Sequence, residues 1–443
     1  MTRPKSLLAA LAASAFIMPI AQSAGAVEIT LFRFFGDCAN EYASVNNVDE
    51  ATGECGIIQA LTNQFNAENQ IGATVVTQTV DWGTYYDLLS ATYASDNIPD
   101  VAVMHGTVLP NFASRGLLEP LGEDLAAAGV DVEDFAAAAR TAVTVEDEIY
   151  ALPFDLHALL LHINMDLMSQ AGLVDDQGNP ILPTSPEEWI EQGRQFKEAT
   201  GKNYSNIESY GGAVMNVRLL NSLIWQQGSD VVGEDGRTAM LDTPEALAAA
   251  QFVQALYDEG FATEGQDYAA AQQDFLAGEA GMQINGTWEV DAYNAHAQSD
   301  EAGLKNYRVV TFPTLFDQGA VWGDSHMWTI PADEGRPAEE REAALAFLKF
   351  LDEHNIDWAR TGHLPVHQSV LNSEEFRSLP QRANFGDTAN IVRNLPSVQN
   401  QRGIQDVMTS ELTSMWLTDR PAEDVLAAMQ PRIAQTLRRG ARN

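Results

Sequence analysis

Ile98-Pro99-Asp100-Val101-Ala102-Val103-Met104 reads as a short buried strand: an apolar run set off by a proline and an acidic residue. Outward from it, Val27-Glu28-Ile29-Thr30-Leu31-Phe32-Arg33-Phe34 alternates with strand period and ends in Phe35-Gly36-Asp37, so a strand delivers a polar side chain to a loop. Between these two strands, residues 57–69 carry Ile57, Ile58, Leu61 and Phe65 at helical spacing; 73–80 reads as strand and 84–94 as helix. The first part of the chain is therefore β-α-β-α-β, the pattern of a mostly parallel sheet with helices on both faces, and the fold class is α/β. A second α/β unit follows Tyr150-Ala151-Leu152-Pro153. Residues 156–163 form an apolar run broken only by His157 and His162. Ser185, Pro186 and Glu188 mark the start of a helix, and Thr243, Pro244 and Glu245 start another. Short strands are expected at 282–284 and 309–312, an amphipathic helix at 338–353, and a helical tail from 402.

The 443 residues fit two large domains, and the absence of any repeat or Pro/Gly-rich linker favours lobes that exchange segments over domains in series. A net charge of −37 argues against nucleic acid and anionic membranes as partners. Arg3 and Lys5, the apolar stretch 7–20 and Ala24-Gly25-Ala26 together read as a secretory signal peptide over residues 1–26, giving a mature chain from Val27 in a periplasm-like space. The apolar stretch is shorter than the ~20 residues a spanning helix needs. No cysteine follows the cleavage site to take a lipid. The two cysteines, Cys38 and Cys55, should pair in that oxidising compartment, closing a loop that stabilises by about 3 kcal/mol in the chain-entropy model. Without a nearby histidine pair they make a poor metal site.

Catalytic signatures are near misses. Gly323-Asp324-Ser325-His326-Met327 starts like a nucleophile elbow, but Met327 stands where the second glycine belongs. His363 and His367 have helical metal-ligand spacing, yet Pro365 interrupts them and no glutamate accompanies the pair. There is no Walker loop, dinucleotide fingerprint or calcium loop. Neither a cofactor nor a resident metal is expected.

Aromatic and polar residues instead gather where strands meet loops: Trp82 beside Tyr85 and Tyr86, Asn285-Gly286-Thr287-Trp288, and Trp322-Gly323-Asp324. Sugar recognition needs this mixture, because a pyranose offers a C–H face that stacks on an indole and a rim of hydroxyls that seek amides, carboxylates and imidazoles. Trp189, Trp358 and Trp416 sit in helical apolar patterns and read as core. Trp288 and Trp322, beside glycines that let a ligand approach, read as cleft residues.

The chain resembles the extracellular solute-binding proteins of family 1, the maltose-binding type that feeds carbohydrate ABC importers. The likeness rests on ordered blocks: IPDVAVMHGTVLPNFASRGLLEPL (98–121), YALPFDLHALLLHINMDLMSQAGL (150–173), FLAGEAGMQINGTWEVDAY (275–293), RTGHLPVHQSV (360–370) and DRPAEDVLAAMQPRI (419–433). The resemblance implies a two-lobed periplasmic binding protein fold with segment-swapped lobes and a hinge. Residues 27–152 and 286–322 would form the N-terminal lobe, and 153–285 and 323–443 the C-terminal lobe. It also implies ligand contacts at Asp37, His105, Thr107, His157, Asn216, Arg218, Trp288, Trp322, Asp324, Arg360 and His363; the residues themselves add Trp82 and Asn285 from the aromatic and polar clusters, and Asp155 as a carboxylate that could face a cationic cargo. The inserted loop between Cys38 and Cys55 and the histidines at 105 and 157 depart from the maltose-binding pattern. The function implied is non-enzymatic: a monomer captures a carbohydrate, a di- or oligosaccharide or related sugar derivative, and hands it to permease subunits in the inner membrane. The alternatives are a secreted glycoside-processing enzyme, or the same fold binding a polyol, an anionic sugar derivative or a polyamine.

Overall fold

The computed structural model describes residues 27–95, 97–299 and 303–440; the signal peptide expected at 1–26 lies outside them. One sheet runs in the order Ala73–Thr79, Val27–Arg33, Val101–His105, His326–Thr329, Leu152–Pro153. Its first three strands are parallel, and His326–Thr329 is antiparallel to both of its neighbours. The second sheet centres on His157–Asn164, a strand buried along its whole length. Ala280–Gly286 flanks one side, with Asn203–Asn206 beyond it. The other side is shared by Tyr307–Thr311 and by Val321–Asp324, which pairs in turn with Val392–Asn394.

Local chemistry explains the helices that cover these sheets. Pro186–Thr200 starts where the Ser185 hydroxyl accepts the Glu188 N–H at 3.2 Å, and stops at Gly201, whose φ of 72° suits glycine. Thr243 caps Pro244–Asp258 in the same way. Ala338–Glu353 buries Phe347, Leu348 and Leu351 in the first lobe's core, while Gln401–Leu417 and Ala422–Gly440 pack into the second. Trp189, Trp358 and Trp416 are core residues as expected. Cys38 and Cys55 form a disulfide with a Cα separation of 6.0 Å, fastening the loop after the first strand to the helix Gly53–Glu68. No described helix is long and apolar enough to cross a membrane.

The lobe boundaries differ from the expected ones in the second half of the chain. Residues 286–322 do not return to the N-terminal lobe: Tyr307–Thr311 and Val321–Asp324 hydrogen-bond in the second sheet. Residues 323–443 do not all belong to the C-terminal lobe either, because His326–Thr329 and Ala338–Glu353 join the first. The chain crosses at Ser325, where two strands follow each other almost without a break. It lies antiparallel to the earlier crossing at 154–156, so a two-stranded ribbon threads both lobes. A third crossing leads back to Val392–Asn394. This ribbon is the hinge, and it forms the floor of the cleft.

Candidate functional site

All three parallel strands of the first lobe aim their carboxyl ends at the cleft, the place where open α/β sheets receive ligands. Phe34, Phe35, Gly36 and Asp37 follow Val27–Arg33; Val80, Asp81 and Trp82 follow Ala73–Thr79; His105 ends Val101–His105. The first of these turns is forced: Phe35 sits at φ 77°, unusual for a residue with a side chain. The buried Arg33 guanidinium holds it by donating to the carbonyls of Phe34 (2.8 Å) and Gly36 (2.9 Å). The second lobe contributes Glu208, the start of the helix Val214–Gln226 with Met215 and Arg218, then Tyr268, and Trp288 with Glu289 after Ala280–Gly286. Together they line a cavity of about 830 Å³. A second space of about 440 Å³ shares Trp82, His105, Glu208 and Arg218 with it and adds Thr107, Trp322, Asp324 and Arg402. A larger groove, about 950 Å³, shares Thr107 and Asp324 with this second space but has no aromatic ring in its lining, so a stacked ligand belongs in the first two.

The aromatic surfaces are fixed by their neighbours. Trp82 is 46% exposed, standing edge-on to His105, whose ring stacks on Phe34 at 5.0 Å. Trp288 is half-buried; its indole N–H donates to Tyr268 (2.6 Å), which donates to Glu289 (2.7 Å). Gly286 lets that ring fold back, since a Cβ there would lie 2.0 Å from it. The glycine therefore makes room for Trp288 itself rather than for a ligand. Gly323 likewise yields its space to Val392 and the His157 carbonyl.

Below the cavity, the buried Asp155 carboxylate accepts from Trp358 Nε1 (2.7 Å), His326 Nδ1 (2.8 Å), His157 Nδ1 (3.0 Å) and the His326 backbone N–H (3.1 Å). Burial pushes its pKa up, but His326 and His363 nearby and these hydrogen bonds outweigh burial and hold it well below the carboxylate range. Burial also lowers His157 to about 3 and His363 to about 4, leaving both neutral. At His326 burial lowers the pKa, yet Asp155 more than offsets it and the net shift is upward. Thr361 gives its single hydroxyl proton to the Trp358 carbonyl (2.7 Å), so it accepts from His363 Nδ1 (2.7 Å). His363 Nε2 is thereby left as a lone pair, facing Glu54 at 3.3 Å and Asp155 at 3.7 Å. Burial pushes the Glu54 carboxyl up to about 7, with Asp155 and Glu289 adding to the shift against the pull of His326. A protonated Glu54 is what that lone pair can accept from. Asp155, His157, His326 and His363 each offer an atom within 4.8 Å of the others, close enough for metal ligands. The four donors on Asp155 already satisfy that carboxylate with protons.

Of the residues expected to touch ligand, the structure brings Asp37, Trp82, His105, His157, Arg218 and Trp288 to the larger cavity, and Thr107, Trp322 and Asp324 to its extension. Trp322, expected open to the cleft, is instead buried at 2% exposure in the second lobe's core, with Arg218 over its ring at 4.0 Å. Five stand elsewhere. Asn216 is sealed beneath the helix, donating to the Glu208 carbonyl (2.6 Å) and the Tyr257 hydroxyl (2.9 Å). Asn285 is buried between Tyr268 and Tyr293. Arg360 pairs with Asp49 at 2.8 Å, outside the cavity lining. Asp155 and His363 are fully buried in the floor and act through His157, His326 and Glu54. The sequence reading did not propose Phe34, Phe35, Glu54, Glu208, Tyr268, Glu289 or His326 as contacts. The position of Phe34 and Phe35 after a strand was a usable signal, whereas Glu54 and Glu208 carry none in a chain with 62 acids.

Comparison with known proteins fits this architecture. A putative binding protein of Brucella abortus is 24% identical over 369 residues, covering 82% of this chain and 85% of the relative. The lactose-binding protein of Rhizobium radiobacter is 21% identical over 270 residues, 60% of this chain and 59% of its own length. Among solved structures, the GacH receptor of Streptomyces glaucescens superposes with a TM-score of 0.78 at 18% identity, over 93% of this chain and 99% of that one, which shows a shared fold. Residues 55–353 match the family description in sequence: the chain is a member of the bacterial extracellular solute-binding proteins, a binding protein and not an enzyme.

Proposed function

We propose that the protein captures a sugar between its lobes in the periplasm, as a monomer exported by the segment 1–26, and delivers it to the permease of an inner-membrane ABC importer. The observation that carries this reading is the cavity of about 830 Å³, walled by Phe34, Phe35, Trp82, Tyr268 and Trp288 and edged by carboxylates, imidazoles and one guanidinium. Indole faces suit the apolar side of a pyranose and the polar edge suits its hydroxyls. Asp37, Trp82, His105, Thr107, His157, Arg218, Trp288, Trp322 and Asp324 are the proposed contacts. The sugar-binding relatives support the cargo class. Hinge closure around the cargo would present both lobes to the permease together. A thermal-shift screen over mono-, di- and oligosaccharides and their charged derivatives tests the reading. A cargo should raise the melting temperature with concentration, and a panel that leaves it unmoved, with calorimetry equally silent, would refute it.

A further inference from the structure

Four arginine side chains are drawn wholly or partly into the interior, and they spend their donors differently: Arg336, 2% exposed, gives its own to Asp100, Glu119 and the carbonyls of Pro99 and Pro331. Arg33 gives its N–H groups to the Phe34 and Gly36 carbonyls and to Gln59, and Arg382 to the carbonyls of Ala359, Arg360 and Pro380. Arg218 has no such arrangement. Its one hydrogen bond runs from Nη1 to the Met215 thioether at 3.2 Å, a weak acceptor; no oxygen among the described residues accepts from it, and no carboxylate there lies within ion-pair reach. Its Nε is buried and unpartnered. The guanidinium is nonetheless held in place, 4.0 Å over the Trp322 ring and 5.1 Å from Trp288, and it lines both the main cavity and its extension. The acids nearest in influence do not pair with it. Asp324 accepts from Thr107 and the Ser325 N–H, while Glu208, whose Oε2 is itself buried without a partner, acts on Arg218 only from beyond ion-pair distance.

A positive group left this way is costly once closure removes water from it. A sugar hydroxyl can take one of its N–H bonds but leaves the charge uncompensated. An oxyanion takes two in parallel and compensates the charge. We propose that the cargo carries an oxyanion on its sugar, a carboxylate, phosphate ester or sulfonate, seated against the open edge of Arg218 while the aromatic walls hold the ring. This deepens the sugar-binding reading and rests on it. In a chain of net charge −37 such an anion is repelled at long range, so its recognition must come from a local cation inside the cleft, where salt screens little.

The test is calorimetry on the full mature chain with matched pairs: glucose against glucuronate, galactose against galacturonate, glucose against glucose 6-phosphate, and a 6-sulfonated glucose. At least one anionic member should bind 100-fold or more tighter than its neutral parent, and which one does so tells a planar carboxylate from a tetrahedral group. Arg218→Met, similar in length but without donors, should lose at least 50-fold for that anion, and at least 10-fold more than it loses for the neutral parent, to which Arg218 can give only a hydroxyl contact. Arg218→Lys should recover only part of the loss. Cooperative melting of both variants without ligand shows that any lost affinity does not come from unfolding. Neutral sugars binding as tightly as the charged ones would overturn the inference while leaving the sugar-binding function intact. Silence from every pair and from neutral and charged di- and oligosaccharides as well would instead overturn that function.

Discussion

Two residues in the cleft do work that their own identity does not announce. Glu54 belongs to the first turn of the helix Gly53–Glu68, yet its carboxyl reaches the cavity and meets the His363 lone pair. Its pKa, raised by burial from 4.5 to about 7, means that the fold stabilises the protonated form. That contribution is fully present below about pH 4.5 and is lost as pH rises through 7. Glu54→Gln keeps the shape and stays neutral throughout. Relative to wild type, the variant should gain about 1 to 3 kcal/mol between pH 4.5 and pH 8, a range set below the full shift because the side chain is partly open to solvent. Parallel melting curves for the two proteins across that range would show that the carboxyl is not under this strain. Gly286 acts at one remove. Because a Cβ would sit 2.0 Å from the Trp288 ring, Gly286→Ala should push the indole out of place and weaken sugar binding as much as Trp288→Ala, about 1 to 3 kcal/mol by analogy with aromatic stacking on bases. Calorimetry of the two variants, and of the pair combined, should give one shared loss rather than two additive ones.

The disulfide loop is the element at which stability and binding meet. Cys38 adjoins Asp37 and Cys55 adjoins Glu54, so one covalent link pins two residues of the cavity wall. Replacing both cysteines by serine should cost about 3 kcal/mol in urea unfolding, the entropy of a loop of this length. It should also weaken cargo binding, whereas an unchanged affinity would mean that the wall holds without the link. This pairing was legible from compartment chemistry alone, and so were most elements. The helix Pro186–Thr200 has its cap, its proline and its terminal glycine in the sequence, and the strands feeding the cleft announce themselves by alternation. What stayed hidden depends on partners distant in sequence. The expected boundary after residue 322 falls close to the crossing at Ser325, but its direction was hidden: Gly323 and Asp324 pair with Ala158 and His157 in the second sheet, and 326–329 pair with 102–105 in the first. Within the site, Asn216 and Arg218 were expected together. Two residues apart on a helix they point to opposite faces, so only one could reach the cleft, and Asn216 is the one tied down by Glu208 and Tyr257.

At the scale of the whole molecule, the lobes are joined by the hinge ribbon and touch across the cleft mainly through polar contacts. Thr107 donates to Asp324 at 2.8 Å; the Asn400 backbone N–H donates to the Asn111 side-chain Oδ1 at 2.9 Å; Arg402 lies 5.7 Å from the Trp82 ring centre. Single hydrogen bonds of this kind are individually worth only about 0.5 to 1.5 kcal/mol, so opening the cleft should be easy without cargo. Asn111 separates closure from recognition, since it lies outside the lining of both the main cavity and its extension. Asn111→Ala removes one contact made between the lobes. If the ligand-free protein is mainly open, the lost contact passes directly into apparent affinity, because cargo must supply the closure energy. At about 1 kcal/mol, Kd should rise roughly 5-fold, mostly through faster dissociation, with the association rate nearly unchanged. Small-angle scattering should find the same radius of gyration for variant and wild type when saturated with cargo. A variant that lost affinity through slower association, or that differed in shape when saturated, would place Asn111 in recognition rather than closure.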